Sequence, residues 1–170
     1  MIYELVKHTD PILKKPVELF DFNNTDIDPV EFATNLIKTM NHYQGIGLSA
    51  NQCGLPYRVF VMKGDPNYVC FNPKIVMPSE EEVLLEEGCL SYPGIVVKIK
   101  RPKHIRVRFS TPSGQVTTKT FTGMSARIFQ HEMMHLEGKT FKDYCSRLTL
   151  EMAIKKANKK GFNYSISSFY

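Results

Sequence analysis

The chain has 170 residues, of which 42% are hydrophobic and 23% charged, and it carries a formal net charge of +5. A chain of that length buries roughly two thirds of its unfolded surface and is short for two ordinary domains, so a single domain over 1–170 is expected. The composition excludes intrinsic disorder and a disulfide-dense miniprotein, the four cysteines include no C-x-x-C pair, and no apolar run approaches the ~20 residues that cross a bilayer.

Met1 to Lys15 shows no signal or transit pattern. A cytoplasmic address, reduced thiols and no membrane partner are therefore expected. Asp28-Pro29-Val30-Glu31 reads as a helix start, with Asp28 as cap, Pro29 at the first position and Glu31 completing a capping box. The helix is predicted to run to about Tyr43 with Val30, Ala33, Ile37 and Met40 on its apolar stripe, and to break at Gly45 and Gly47. Arg58–Met62 and Val69–Phe71 read as strands around an Asp65-Pro66-Asn67 turn, and another strand starts at Val83 and ends at Cys89. Ile105, Val107 and Phe109 alternate with Arg106 and Arg108, and Pro112-Ser113-Gly114 turns the chain into Val116–Phe121, which predicts a hairpin. A helical period returns from Ser125 to about Glu137 and stops at Gly138, and a basic helix is predicted over Thr149–Lys160. Strands in mid-chain with helices segregated from them make the class α+β.

The informative segment is His131-Glu132-Met133-Met134-His135. Helical residues four apart share a face, so both imidazoles can address one cation while Glu132 lies close enough to act on a water. A shuffled chain of this composition yields about 0.01 such matches. A catalytic site of this kind needs a third protein ligand. Phe141 stands where a metzincin requires its third histidine, and Glu151, the thermolysin-like choice, lies on a lysine-rich segment. A thiolate from the β-rich region remains. Glu87-Gly88-Cys89-Leu90-Ser91 offers one, although a cysteine on its own is as readily a small buried hydrophobe. Gly45-Ile46-Gly47-Leu48-Ser49-Ala50-Asn51-Gln52 lacks the ending of a phosphate loop; its glycines can expose main-chain groups to an extended ligand, and Gln52 offers an amide donor.

In order and spacing, these three segments resemble the signature motifs of peptide deformylase, and His8-Thr9-Asp10-Pro11-Ile12-Leu13 is similar to that family's opening segment. The resemblance reaches about Tyr144. It implies antiparallel sheets packed around a central helix that carries the His-Glu-x-x-His motif, with an N-terminal and a C-terminal helix. It also implies Cys89, His131 and His135 as ligands of one divalent metal, Fe(II) in cells, with zinc, nickel or cobalt able to replace it. Glu132 becomes the general acid/base, and Gln52 and the backbone N–H of Leu90 the oxyanion donors. The implied reaction takes the formyl group from the initiator methionine of a nascent peptide and releases formate. The peptide would lie in β-strand fashion along Gly45, Ile46, Gly47 and Gly88, its methionine in an apolar pocket built by Ile128 and His131.

Three positions depart from the family pattern. Ser49-Ala50 replaces an Ala-Ala pair, Gln44 stands where Glu is common, and Met134 replaces the Asp before the second histidine. With Met134 there, Arg101 is expected to pair with Glu87 alone, and altered metal retention is expected. Lys155, Lys156, Lys159 and Lys160 raise docking on the ribosome through the C-terminal segment, against the plainer reading of a solvated helix face. The protein is expected to be a monomer. Two other functions fit parts of the pattern, a general metallopeptidase and a catalytically silent RNA- or ribosome-binding relative. Retention of Glu132, Gln52 and all three ligands argues against the silent form.

Overall fold

The computed structural model describes residues 1–170. Helix α1 spans Pro29–His42, and the Asp28 carboxylate accepts from the N–H groups of Val30 and Glu31, so Asp28 caps it without a reciprocal bond from Glu31. The expected stripe holds at Ala33 and Met40, with Ile37 half-buried against the same cluster, but it is wider than expected and leaves Val30 out. Phe32, Ala33, Leu36, Thr39 and Met40 are buried while Val30 is 60% exposed, because the larger Phe32 and Leu36 each gain about 1.5–3 kcal/mol by leaving water. The chain reverses at Gln44, which adopts a positive φ of 57°.

Strands β1 (Gly47–Ser49), β2 (Val59–Met62), β3 (Tyr68–Pro78), β6 (His104–Ser110) and β7 (Val116–Thr122) form one antiparallel sheet in the order β1-β2-β3-β6-β7. Strand β3 continues well past the expected Phe71. Asn72-Pro73 hides it in the sequence by breaking the alternation, and the ladder to β6 is bulged between Phe71 and Lys74. The Asn72 side chain closes that bulge by accepting from Phe20 N and donating to Phe20 O. Strands β4 (Glu82–Glu87) and β5 (Val97–Pro102) make a separate antiparallel pair, and β4 stops two residues before Cys89.

Helix α2 (Gly123–Leu136) is buried without a break from Ala126 to Leu136. One face packs on Phe60, Ile105, Val107 and Phe121 of the large sheet, while Met134 joins a second cluster with Val97, Ile99, Phe141, Leu150 and Ile154. A third cluster sets α1 on the other face of the large sheet through Val59, Val61 and Phe71. The helix carrying both histidines is thus central, enclosed by both sheets. The chain leaves it through Gly138, whose φ of 70° and whose close neighbour Lys15, with backbone atoms 2.4–2.7 Å from where a Cβ would lie, leave no room for a side chain.

Helix α3 covers Arg147–Lys159 and is capped by Ser146. Leu150, Ile154 and Ala157 are buried, and Met152 is exposed. Beyond it the chain folds back: Tyr164 donates from its hydroxyl to Pro93 O at 2.7 Å and Phe162 covers Gly94. No helix is long and apolar enough to cross a membrane.

Candidate metal centre and active site

His131 and His135 project from one face of α2 with their Nε2 atoms 3.3 Å apart, and Cys89 Sγ lies 3.1 Å from His135 Nε2. The three donor atoms all fall within 4.8 Å of one another. Tetrahedral bonds of about 2.0–2.1 Å set two ligand nitrogens roughly 3.3 Å apart, so this spacing and the thiolate-plus-imidazole donor set fit one divalent transition metal. Cys89 reaches α2 from the turn that follows β4. Glu151, the alternative third ligand, is exposed on α3 and paired with Arg147.

Glu87, at the end of β4, holds the first histidine. Its buried carboxylate accepts from His131 Nδ1 at 2.9 Å, from Arg101 Nε and Nη2 at 2.6 and 2.9 Å, and from Arg127 Nη1 at 2.7 Å. Burial alone would raise its pKa, but the hydrogen bonds from Arg101 and His131 win and hold it well below the usual carboxylate range. A His131 Nδ1 fixed this way presents Nε2 to the ligand cluster. Burial opposes the charging of both imidazoles. Hydrogen bonds to Cys89 and Glu87 nevertheless raise the pKa of His131, whereas burial and the neighbouring His131 charge depress that of His135. As expected, Glu87 is the only acidic partner of Arg101; Arg127, which the sequence reading passed over, is a second cation on Glu87.

Glu132 is 3% exposed, and burial pushes its pKa up to about 7 against the opposing effects of His131 and the Ser49 hydroxyl. Gly47 gives it room: a Cβ added there would lie 2.6 Å from Glu132 Oε2 and 2.9 Å from Ile128 Cγ2. Gln52 is oriented from both ends. Its Oε1 accepts from Ser49 N at 2.9 Å, which turns Nε2 toward Ser91 Oγ at 2.9 Å and Cys89 Sγ at 3.6 Å. Ser91, whose place in the Glu-Gly-Cys-Leu-Ser segment does not by itself disclose a role, thus helps to orient Gln52. The Leu90 N–H has no partner in the chain's backbone hydrogen-bond network.

A cavity of 420 Å³ opens on this cluster. Gly45, Ile46, Gly47, Gly88 and Ile128, the predicted peptide-binding residues, all line it, together with Gln52, Cys89, Leu90, His131 and Glu132. Ile46 stands on the rim, 57% exposed. Met124 and Arg127 also line it and were not foreseen. Met124 precedes the periodic part of α2, and Arg127, one turn before His131, reads as a solvated base until its partner Glu87 is placed opposite.

The profile of the family described as polypeptide deformylase matches residues 2–151. The peptide deformylase of Bartonella tribocorum is 37% identical over 167 residues, covering 92% of this chain and 91% of its own length. Among solved structures, the peptide deformylase from Thermotoga maritima superposes with a TM-score of 0.81 at 36% identity, covering 86% of this chain and 99% of that one. The peptide deformylase from Synechococcus elongatus in complex with actinonin gives 0.86 at 30% identity, covering 99% and 90%.

Proposed function

The chain belongs to the polypeptide deformylase family, and from that premise we propose that Cys89, His131 and His135 hold its divalent metal and that Glu132 moves the protons of the reaction. It is a metal-dependent hydrolase that removes the N-formyl group from the N-terminal methionine of newly synthesised polypeptides and releases formate. A divalent cation held by Cys89, His131 and His135 would supply Lewis-acid chemistry, polarising a carbonyl and bringing the pKa of water toward about 7. Glu132 accepts the proton of the attacking water and passes it to the amine nitrogen as the C–N bond breaks. Gln52 Nε2 and the Leu90 N–H donate to the formyl oxygen as it gains charge; one such donor is worth about 3 kcal/mol of barrier in comparable sites. Gly45, Ile46, Gly47 and Gly88 bind the peptide backbone as an added strand, and Ile128 packs on the methionine side chain.

The observation that carries this reading is the convergence of one sulfur and two imidazole nitrogens beside a buried carboxylate in a peptide-sized cavity. Anaerobic purification with metal analysis, paired with formate release from formyl-Met-Ala, tests it. One bound metal and formate release by the parent are expected, with activity lost in Glu132→Ala. An N-acetylated or internal-peptide substrate cleaved as fast as the formylated one would instead indicate a general metallopeptidase.

Fe(II) is the metal we assign in cells, carried over from the family resemblance; the Cys-His-His donor set also suits zinc, nickel or cobalt. Residues 1–170 act as one catalytic domain, a monomer working in the cytoplasm where its substrates are made. The exposed Lys155, Lys156, Lys159 and Lys160 on and just after α3 support docking on ribosomal RNA.

A further inference from the structure

The face of α2 turned away from the catalytic cavity borders a second, larger cavity of 1390 Å³. Gln130, Met133 and Met134 of α2 and Glu137 just after it form one side of it, and Arg101 and Tyr144 form another. Arg101 is 3% exposed, yet its guanidinium is only partly engaged. Nε and Nη2 donate to Glu87, Nη2 also meets Met134 Sδ at 3.7 Å, and the group lies over the Tyr144 ring at 4.7 Å. Nη1 has no hydrogen-bond partner in the chain.

Cations outnumber anions in its immediate ion-pair cluster. Two buried guanidiniums, Arg101 and Arg127, converge on the single carboxylate of Glu87, and the neighbour on α2, Met134, contributes no charge. Both terminal nitrogens of Arg127 are engaged, Nη1 with Glu87 and Ile99 O and Nη2 with Val83 O, whereas Nη1 of Arg101 has no partner. The acids bordering the cavity do not supply a partner: Glu137 is held by Arg58, and Glu18 and Asp21 lie exposed in the preceding loop. A buried cation with a free N–H beside an open space favours a charge-assisted bond to an anion over water alone.

We propose that Arg101 forms the floor of a second ligand site, behind the metal helix, that takes a small monovalent anion: a halide or a short carboxylate such as formate. The anion neutralises the excess charge and bonds Nη1, while Tyr144 and Met134 bound it with apolar surface. Because Arg101 shares Glu87 with His131, occupancy also bears on how firmly the histidine holds its metal.

The test uses the metal-loaded protein. Crystals soaked in sodium bromide are expected to show an anomalous peak in hydrogen-bonding reach of Arg101 Nη1. In solution, bromide, chloride and formate are titrated at constant ionic strength against a bulky anion, with melting temperature and metal off-rate as readouts; a saturable response to the small anions is expected. Competition between formate and bromide identifies a carboxylate-accepting site, and a response to halides alone a halide site. Met134→Leu, which keeps charge and shape, retains the response. Met134→Asp, which sets a carboxylate beside Arg101, weakens it by at least about tenfold, the loss of one bond to a charged group. Water alone at Nη1, a response unchanged in Met134→Asp, or a crystal peak with no saturable solution response, which marks an adventitious ion, would overturn the proposal.

Discussion

The Ser49 hydroxyl donates to Glu132, with Oγ 3.0 Å from Oε1 and 3.2 Å from the main-chain oxygen of the same residue. Both groups are buried, and the hydroxyl stabilises the ionised carboxylate against the burial that raises its pKa to about 7. A bound cation draws that value lower still.

Ser49→Ala removes a donor to the charged form, so the Glu132 pKa rises. The active, ionised base is then lost at a higher pH as the solution is acidified. The acid limb of the pH–rate profile should move up by roughly half to one unit, the equivalent of about 1 kcal/mol. Formate release falls most at pH 6 and least at pH 8. Profiles of variant and parent that superimpose would show that the hydroxyl does not tune the base.

Glu87→Gln leaves two buried guanidiniums facing an amide. Stability should drop by about 3–5 kcal/mol, measured by urea unfolding. Metal should leave about 10–100-fold faster, measured with a chromophoric chelator. The sign of the pH effect follows from the depressed pKa of Glu87 in the fold. Its contribution is complete above its unfolded value of about 4.3 and is lost as the pH falls toward the folded one. The gap in stability between parent and variant should therefore narrow on acidification, and a gap constant from pH 7 to pH 3 would contradict this.

Gly47→Ala drives a methyl group against the Glu132 carboxylate and Ile128. The main chain of β1 is fixed by its pairing with β2, so the carboxylate has to move. A fall in kcat of at least about 100-fold, the contribution of a positioned acid/base, is expected with metal content unchanged. Parent-like turnover would mean that Glu132 has slack the structure does not display.

Reversing Lys155, Lys156, Lys159 and Lys160 to Glu tests ribosome docking without disturbing the core, since all four are exposed. Co-sedimentation with ribosomes should disappear at low salt while deformylation of a short peptide persists. Deleting the segment is a poorer test. Leu150, Ile154, Tyr164 and Phe169 share a buried cluster with Met134 and Ile99, and the truncated chain is expected to lose its fold.

Local chemistry was legible in the sequence and long-range arrangement was not. The placement of His131, Glu132 and His135 on one helix follows from spacing alone, whereas the arrival of Cys89 beside them depends on how two separate strands pair. Strand β3 was cut short because Asn72-Pro73 reads as a break, although the sheet absorbs it as a bulge. Of the α1 stripe, Ala33, Ile37 and Met40 were legible, whereas Val30 matches the helical period as well as Phe32 and Leu36, and only the facing sheet decides which are covered. Arg127 stayed hidden because a basic residue in a helical run looks solvated until the carboxylate opposite it is known.

Tyr164 grips the main chain at Pro93, four residues past Cys89, the sulfur proposed as a metal ligand. In order of synthesis that tyrosine is joined only after Cys89, His131 and His135 have all been made. An enzyme that deformylates other chains thus has the brace for the turn carrying Cys89 made late in its own synthesis, and metal capture should be weakest on a chain still growing.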